Sequence, residues 1–268
     1  MNAASRVIIT IMSVLAIAAI LVGLYIHVFG NSSFFSASPA SSDTVSLEGV
    51  LSGPDSDYPD TAGLEGDFEN VKIEVDYADL SVETGDAFSI DYTLPSNPKI
   101  EIKNGSLTIK SKVNEFSSFF KMKPDYKIEV VIPEGTELTD FDLNMDAGKV
   151  SMEGIKTKKL KMNSDAGDVD LDDIKADTFD INTDAGNIEM NEIETKNLIV
   201  NADAGNLKIN DSTIDRIDAH IDAGNIEAHD STINSGSCKT DFGNVSLNGN
   251  IGDVKAKSSV GNATIDRD

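Results

Sequence analysis

The tripeptide Asp-Ala-Gly recurs along this chain at a constant spacing of 19 residues. Five complete copies are followed in the same register by one variant, Asp-Phe-Gly. The aspartates of the six copies are Asp146, Asp165, Asp184, Asp203, Asp222 and Asp241. A fixed period of this length indicates one small structural unit that is repeated, in which each unit contacts mainly its neighbours.

Apolar residues occupy fixed places in each unit. In the copy that contains Gly186 they are Ile188 and Met190, then Leu198 and Val200, with polar residues between them. This period of two is typical of half-buried β-strands and excludes a helical bundle. An isoleucine between the two pairs stands seven residues after the glycine in three copies and nine residues after it in two, namely Ile155, Ile174, Ile193, Ile214 and Ile233. Each unit therefore contains two short strands and three corners.

One unit cannot bury its apolar face alone, but stacked units can, because each strand then pairs with its copy one coil along. The sequence thus predicts an all-β fold, a single-stack parallel β-solenoid over residues 69–268. Residues 136–268 form regular 19-residue coils, and the last coil, where Ser258–Ile265 replaces the motif, shortens to 18. At about 4.8 Å per coil, six or seven coils make a rod of roughly 30 Å.

Residues 69–135 alternate like strands but without the repeat, and we expect them to form irregular N-terminal strands and a cap. Three phenylalanines, Phe116, Phe119 and Phe120, stand in the segment Val113–Pro124. They are expected to cover the open end of the apolar core. The other interpretation is a contact loop for a protein or glycan partner, since exposed aromatic residues are common anchors at interfaces.

The column of six aspartates has two interpretations. In the first, the aspartates are scaffolding, because each carboxylate accepts a hydrogen bond from a turn amide while the glycine supplies a positive φ. In the second, calcium ions lie between the coils, as in Gly- and Asp-rich nonapeptide repeats. The period of 19, Lys149 after the first motif and Ser259 in place of the last aspartate favour scaffolding. We therefore predict no metal site and no cofactor.

An asparagine follows the glycine in most copies. These residues are Asn187, Asn206, Asn225, Asn244 and Asn262. Stacked one above the other, they predict an asparagine ladder along one corner of the solenoid.

The N-terminal segment Val7–Phe29 has 23 residues and no Asp, Glu, Lys or Arg. As a helix it spans about 34 Å, enough for a bilayer core of about 30 Å. Arg6 precedes it, and no further Lys or Arg occurs before Lys72. The positive-inside rule then predicts a single-pass membrane protein with a cytoplasmic N-terminus and an extracellular C-terminal domain. A cleaved signal peptide, with small residues at Ser36–Ala40, is the other interpretation.

The remaining N-terminal part, residues 30–68, is rich in Ser, Gly, Pro and Asp and is expected to be a flexible acidic tether. Residues 1–29 then form the anchor with its short cytoplasmic end. The whole chain carries 46 Asp+Glu against 22 Lys+Arg, a formal net charge of −24. Such a charge repels phosphates, so nucleic acid is excluded as a partner.

Residues that carry enzymatic chemistry are scarce. The only cysteine, Cys238, stands at an inward position, and His220 and His229 stand at outward ones. No Gly-x-Ser-x-Gly elbow and no phosphate-cradling glycine loop occurs. The corners are too short to frame a cleft. The sequence therefore predicts a protein that is not an enzyme.

Three segments carry a resemblance to a known family: Val71–Asp86, Ile128–Ile155 and the Asp-Ala-Gly coils. Over residues 69–268 the chain resembles the bacterial putative-adhesin domain, a domain of unknown function. Together with the membrane anchor, it is similar to LiaG-like proteins of Gram-positive bacteria. The resemblance implies a β-solenoid outside the cell membrane and a link to envelope stress, and it supplies no catalytic residues.

Two functions follow from these features. The first is a membrane-tethered surface module that serves adhesion or an accessory role in envelope stress, with a cell-envelope component or a protein as partner. The second is a module that binds divalent cations or glycans through the acidic face of the solenoid.

Overall fold

The computed structural model describes residues 68–94, 98–112 and 126–268, together with the backbone of 42–46. The predicted anchor, most of the predicted tether and the loop with Phe116, Phe119 and Phe120 lie outside the described residues. Within them, no helix has the length and apolarity that a membrane span requires.

The described part of the chain forms β-strands throughout. The first seven are β1 Ser42–Ser46, β2 Asn70–Tyr77, β3 Asp79–Gly85, β4 Ser89–Thr93, β5 Lys99–Lys103, β6 Ser106–Ser111 and β7 Lys127–Pro133. Strands of eleven and four residues then alternate: β8 Glu137–Ala147, β9 Val150–Glu153, β10 Lys156–Ala166, β11 Val169–Asp172, β12 Lys175–Ala185, β13 Ile188–Asn191, β14 Glu194–Ala204, β15 Leu207–Asn210 and β16 Thr213–Ala223. The last three are β17 Ile226–Phe242, β18 Val245–Val260 and β19 Ala263–Arg267.

The strands stack in two rows. The long-strand row runs β6, β2, β8, β10, β12, β14, β16, β17 and β18, and every neighbouring pair in it is parallel. The short-strand row runs β7, β3, β9, β11, β13, β15, β17, β18 and β19, again all parallel. The predicted all-β parallel solenoid of about seven turns is confirmed.

The register of the rows follows the sequence period. Leu160 pairs with Phe179, and Phe179 pairs with Leu198, so each step along the row equals one sequence period. Between β17 and β18 the register shifts after Ala228, because one residue fewer fills the corner there. In five successive coils the long strand (β8, β10, β12, β14 and β16) has eleven residues instead of the short strand we expected, since pairing between coils continues around one of the corners.

Antiparallel strands close the N-terminal end of the stack. From the coil of β2 and β3 the chain passes outward to β4 and β5. It returns through β6 and β7, which lie between β2–β3 and the outer strands. There β4 pairs antiparallel with β7, and β5 pairs antiparallel with β6. The backbone of β1, which lies within the predicted tether, pairs antiparallel with β4.

The core lies inside the coils, where the predicted apolar columns meet. In the six motif copies the residues two and four places after the glycine are all buried. In the first five copies those at twelve and fourteen are buried too, except the half-buried Gly236.

The isoleucine stands seven residues after the glycine in three copies and nine residues after it in two. In these copies a large and a small side chain exchange places between the two positions. Ile193 packs beside the small Thr195, whereas one coil later Ser212 packs beside Ile214, and all four are buried. Because one large and one small residue always alternate, the core keeps its density from coil to coil.

The glycine corners bring successive coils into very close contact. Gly205 has a φ of 146°, which L side chains rarely adopt, and a Cβ placed on it would lie 1.7 Å from the carbonyl oxygen of Gly186. Its own amide donates to the carbonyl of Ala223 in the next coil at 3.0 Å. Both the dihedral angle and the lack of space therefore require glycine at this corner.

A second corner, six residues after the glycine in the first five motif copies, also has a positive φ. Here the residues are Gly154, Asp173, Glu192, Asp211 and Asp230, with φ from 45° to 73°. Sequence reasoning overlooked this corner, although the column of Gly and Asp was a visible signal. Aspartate tolerates this left-handed conformation better than most side chains, whereas Glu192 adopts it at a cost of about 1–2 kcal/mol.

We predict that Gly205→Ala destabilises the protein by about 3 kcal/mol or more, because the new methyl group collides with the Gly186 carbonyl and strains the backbone. Gly135→Ala is the matched control. Its φ is 78°, but nothing lies within 4 Å of the added Cβ, so it should cost only about 1–2 kcal/mol. Urea unfolding followed by circular dichroism measures both, and equal losses would contradict the stacking geometry.

A second prediction concerns two buried threonines that occupy one column of the core. The Thr183 hydroxyl has no hydrogen-bond partner, whereas the Thr240 hydroxyl donates to the Gly224 carbonyl at 2.8 Å. Thr183→Val should therefore stabilise the protein by about 1 kcal/mol, and Thr240→Val should destabilise it by about 1–2 kcal/mol. Chemical unfolding of the two variants under identical conditions provides the test, and changes of the same sign would refute it.

Candidate functional site

The aspartate column lies on the outside of the solenoid at the glycine corners. Five of its side chains are exposed, and Asp241 is half-buried. Because the alanines that follow them pair in register, for example Ala185 with Ala204, the aspartates stack at the spacing of neighbouring strands, about 4.8 Å. Neighbouring carboxylates at that distance repel each other by about 1 kcal/mol in water.

We expected the turn amides at this corner to donate to the motif aspartates. They donate instead to the side chain of the residue that follows the glycine one coil earlier. The amide of Asn225 donates to the side-chain oxygen of Asn206 at 2.9 Å, and the amide of Asn244 donates to that of Asn225 at 2.8 Å. In the same way, the Asn187 amide donates to the Asp168 carboxylate at 2.8 Å. The residue after each glycine, and not the aspartate before it, thus holds the corner together.

The predicted asparagine ladder is present at these positions. The Asn206 side-chain amide donates to the Asn187 oxygen at 2.9 Å, in addition to the main-chain bonds. A second ladder, which sequence reasoning missed, runs through the long strands, where Asn163, Asn182 and Asn201 each donate to the asparagine one coil earlier at 2.7–3.3 Å. The recurrence of asparagine two places before the motif aspartate was the available signal. Both ladders stiffen the coils against sliding.

The surroundings of the aspartates change along the column. Among the described residues, Asp165, Asp184 and Asp203 have no hydrogen-bond or ion-pair partner. Partial desolvation, followed by the charges of Asp76 and Asp165, raises the pKa of the Asp146 carboxyl. At the other end Lys239 lies 2.8 Å from Asp241, and this hydrogen bond lowers the pKa of the Asp241 carboxyl. Charge is therefore unbalanced in the middle of the column and balanced near its C-terminal end.

A shallow groove of about 520 Å³ follows another corner, along the starts of the long strands. Lysines and acids alternate along it and pair across the coils, with Lys175 at 3.0 Å from Glu194 and Lys196 at 2.7 Å from Asp177. Sequence reasoning did not single it out. The paired charges make this a salt-bridged solvent-facing surface.

Cys238 lies inside the stack, as its inward position predicts. Burial, and then the charge of Asp218, raises the pKa of its thiol to about 12, so the sulfur stays protonated at neutral pH. His220 and His229 both face outward, His220 half-buried and His229 exposed. Each stands near a carboxylate, with Nε2 of His220 at 2.9 Å from Asp222 and Nε2 of His229 at 3.8 Å from Glu227.

Comparison with known proteins decides the family. The model of the Toastrack DUF4097 family matches residues 68–267, which is most of the chain. The chain belongs to the Toastrack DUF4097 family. The matched segment of this Toastrack domain contains the strands β2 to β19. No curated protein matches the sequence.

Several solved structures share the fold. A putative adhesin from Parabacteroides distasonis has a TM-score of 0.54 and 16% identity, and the match covers 86% of this chain and 97% of that one. A putative lipid binding protein from the same species has a TM-score of 0.53 and 20% identity, with 85% and 96% covered. A putative adhesin from Parabacteroides merdae has a TM-score of 0.50 and 14% identity, with 85% and 95% covered. At these identities the likeness establishes the solenoid fold.

We predict that the aspartate column responds to salt and not to calcium in particular. Neutralising two unpartnered members in Asp184→Asn/Asp203→Asn should raise the melting temperature at low ionic strength, and most of this gain should vanish in about 1 M NaCl, where the Debye length falls to about 3 Å. Asp170→Asn is the control, because Asp170 lies 2.6 Å from Lys149 and its neutralisation also breaks an ion pair, so it should not raise the melting temperature. Thermal unfolding in NaCl, MgCl₂ and CaCl₂ measures the effect. A calcium-specific rise that the double variant abolishes would identify a calcium column instead.

Proposed function

We propose that this Toastrack protein is a non-catalytic surface module that binds other macromolecules at the C-terminal end of its coil stack. The observation that carries the proposal is the open outer edge of β18. Only the first part of that strand, Val245–Gly249, pairs with β19. Beyond it, no strand within the described ranges pairs with the outer edge of residues 253–260.

The two ends of the stack differ in this respect. At the N-terminal end, antiparallel β4 and β5 complete the rows. At the C-terminal end, Arg267 covers only the start of the open edge, where its guanidinium donates to the carbonyls of Ile251 at 2.8 Å and Gly252 at 3.2 Å. An uncovered strand edge offers a row of backbone donors and acceptors to an added strand.

Exposed apolar side chains accompany this edge. Phe242 is 36% exposed and Val260 is 58% exposed, and the two are register partners on β17 and β18. Among the described large apolar residues, one further side chain, Ile199, is exposed to a similar degree. An apolar pair beside an open edge is the combination that strand addition uses, because backbone bonds supply affinity and side-chain contacts supply specificity.

The charge of the edge favours a particular partner. Lys255 and Lys257 are exposed on the open strand of a chain whose net charge is −24. Edge lysines oppose indiscriminate pairing, particularly with other cationic strands. The fitting partner is an extended polypeptide segment that carries acidic residues and at least one apolar anchor.

We place this binding module outside the cell, tethered by the uncharged segment Val7–Phe29. The order of anchor, acidic tether and solenoid is similar to that of LiaG-like proteins, so the proposal includes an accessory role in the envelope stress of a Gram-positive cell. The adhesin names of two structures with the same fold agree with a binding role. Binding of cations or glycans through the acidic face stays a second prediction from the sequence.

The proposal predicts that Phe242→Ser/Val260→Ser abolishes partner recovery when the full chain is cross-linked in intact envelopes and purified. Ile199→Ser is the matched control, because Ile199 is 38% exposed but lies in the middle of the stack, away from the open edge. It should recover the partner as the unaltered protein does. Circular dichroism of all variants establishes that the solenoid is intact.

Two outcomes would contradict this proposal. Unchanged recovery with the Phe242/Val260 variant would exclude the open edge. Loss of recovery only when Phe116, Phe119 and Phe120 are replaced by serine would assign binding to that loop instead.

Tethering is tested separately by adding protease to intact cells. Cleavage should remove the acidic domain and leave a short membrane-bound fragment that contains Val7–Phe29. A domain in the culture medium whose N-terminus lies close to Ala40 would instead establish signal-peptide cleavage.

A further inference from the structure

We propose that His220, Asp222 and Asp241 form a binding site for a transition-metal dication of the Zn²⁺ class. One imidazole nitrogen and two carboxylate oxygens from these residues all lie within 4.8 Å of one another. Among the described residues this is the one group of three such side chains that converges so closely. The site adjoins the open edge, because Ser259 of that edge donates to Asp241, but its test measures zinc affinity and not partner recovery.

The solenoid positions all three ligands. His220 and Asp222 both lie on β16, two residues apart, so their side chains project from the same face of the strand. Asp241 lies on β17, one sequence period after Asp222 and next to it in the stack. The Nε2 atom of His220 is already 2.9 Å from Oδ1 of Asp222. Because strand pairing fixes the backbone, small side-chain rotations suffice to direct all three ligands to one point.

His220 occupies the place where the long-strand asparagine ladder ends. The ladder runs through Asn163, Asn182 and Asn201, and His220 is the register partner of Asn201. In the earlier coils, the residue two places before each column aspartate is an asparagine whose side chain forms hydrogen bonds within the ladder. At this coil it is instead an imidazole directed to Asp222. The substitution thus places a single nitrogen ligand beside two stacked carboxylates.

The chemistry of the three donors selects the metal. Zn²⁺ binds imidazole nitrogen and carboxylate oxygen at about 2.0–2.2 Å, commonly with three protein ligands and one open position. Imidazole favours zinc and its transition-metal neighbours, whereas calcium and magnesium prefer sites made of oxygen alone. A dication also offsets the repulsion between Asp222 and Asp241. The site therefore fits zinc better than the calcium that an all-aspartate column suggests.

Lys239 competes with the metal. Its Nζ lies 2.8 Å from Oδ1 of Asp241, and Ser259 donates to the same oxygen at 3.3 Å. Lys239 is the register partner of His220, so its ammonium group stands beside the cluster. A metal ion must displace this ammonium group to bind Asp241. Removal of Lys239 should therefore strengthen binding, an effect that a merely structural role of the cluster does not produce.

The test is isothermal titration of the full chain with ZnCl₂ in a large excess of CaCl₂, which occupies unspecific carboxylates. One zinc ion should bind per chain. His220→Ala and Asp241→Asn should each weaken binding by about tenfold or more, and Lys239→Ala should tighten it by about tenfold, a change of about 1.4 kcal/mol. In NMR spectra of the imidazoles, zinc should shift the His220 resonances and leave those of His229 in place.

Two matched controls separate the site from unspecific binding. His229→Ala removes the other described histidine, which has Glu227 at 3.8 Å but no third ligand. Asp184→Asn removes a column carboxylate that has no histidine beside it. Both variants should bind zinc within about twofold of the unaltered chain. Circular dichroism of each variant confirms the fold, and all the altered side chains are at least partly exposed.

The proposal is overturned if the unaltered chain binds no zinc in excess calcium. It is equally overturned if His220→Ala leaves zinc affinity unchanged, or if His229→Ala and Asp184→Asn weaken binding as much as His220→Ala does. A Lys239→Ala variant that binds zinc no more tightly would show that Asp241 is not a ligand.

Discussion

The close approach of successive coils at the glycine corners is the constraint on which the rest of the structure depends. Glycine amides donate to the carbonyl of the next coil, as Gly186 does to Ala204 and Gly224 does to Phe242, at 3.0 and 2.8 Å. A Cβ at Gly224 would lie 1.6 Å from the Gly205 carbonyl oxygen. With glycine at the corner, coils stack at the spacing of hydrogen-bonded strands. A larger residue would collide with the carbonyl of the preceding coil and weaken the backbone pairing beside the corner.

Because the coils stack in register, equivalent residues of successive coils form a column. Columns of polar or charged residues have electrostatic consequences. Asparagines become ladders whose amides bond from coil to coil, which satisfies exposed polar groups and resists slippage. Aspartates become rows of like charge, a cost that the ladders and the apolar core must offset. Where the chain changes residue type within a column, as at His220 and Lys239, a local pairing replaces the repeat. Positions that depart from the repeat are thus those where the side-chain chemistry of one coil can differ from that of its neighbours.

Unpaired strand edges occur at the ends of a solenoid, because the interior coils are saturated with backbone bonds. The N-terminal end reverses strand direction through β4 and β5, and an antiparallel strand cannot continue a parallel stack. At the C-terminal end the outer part of β18 keeps the parallel direction and exposes Val260 beside Phe242. This asymmetry supports the proposal that the protein binds a partner at the C-terminal end of the stack.

The sequence by itself determined the fold class, the 19-residue register, the buried columns and the ladder after the glycines, because each follows from the period and the alternation. The tertiary structure alone decided where the turn amides bond, since two neighbouring acceptors, the aspartate before the glycine and the asparagine after it, are equivalent in a repeat pattern. It also decided that β6 and β7 lie outside β2 and β3 in the stack, against their order in the sequence. That region has no repeat from which the neighbouring strands could be predicted. The meeting of His220 with Asp241 likewise depends on distances between coils, which a pattern in one dimension does not contain.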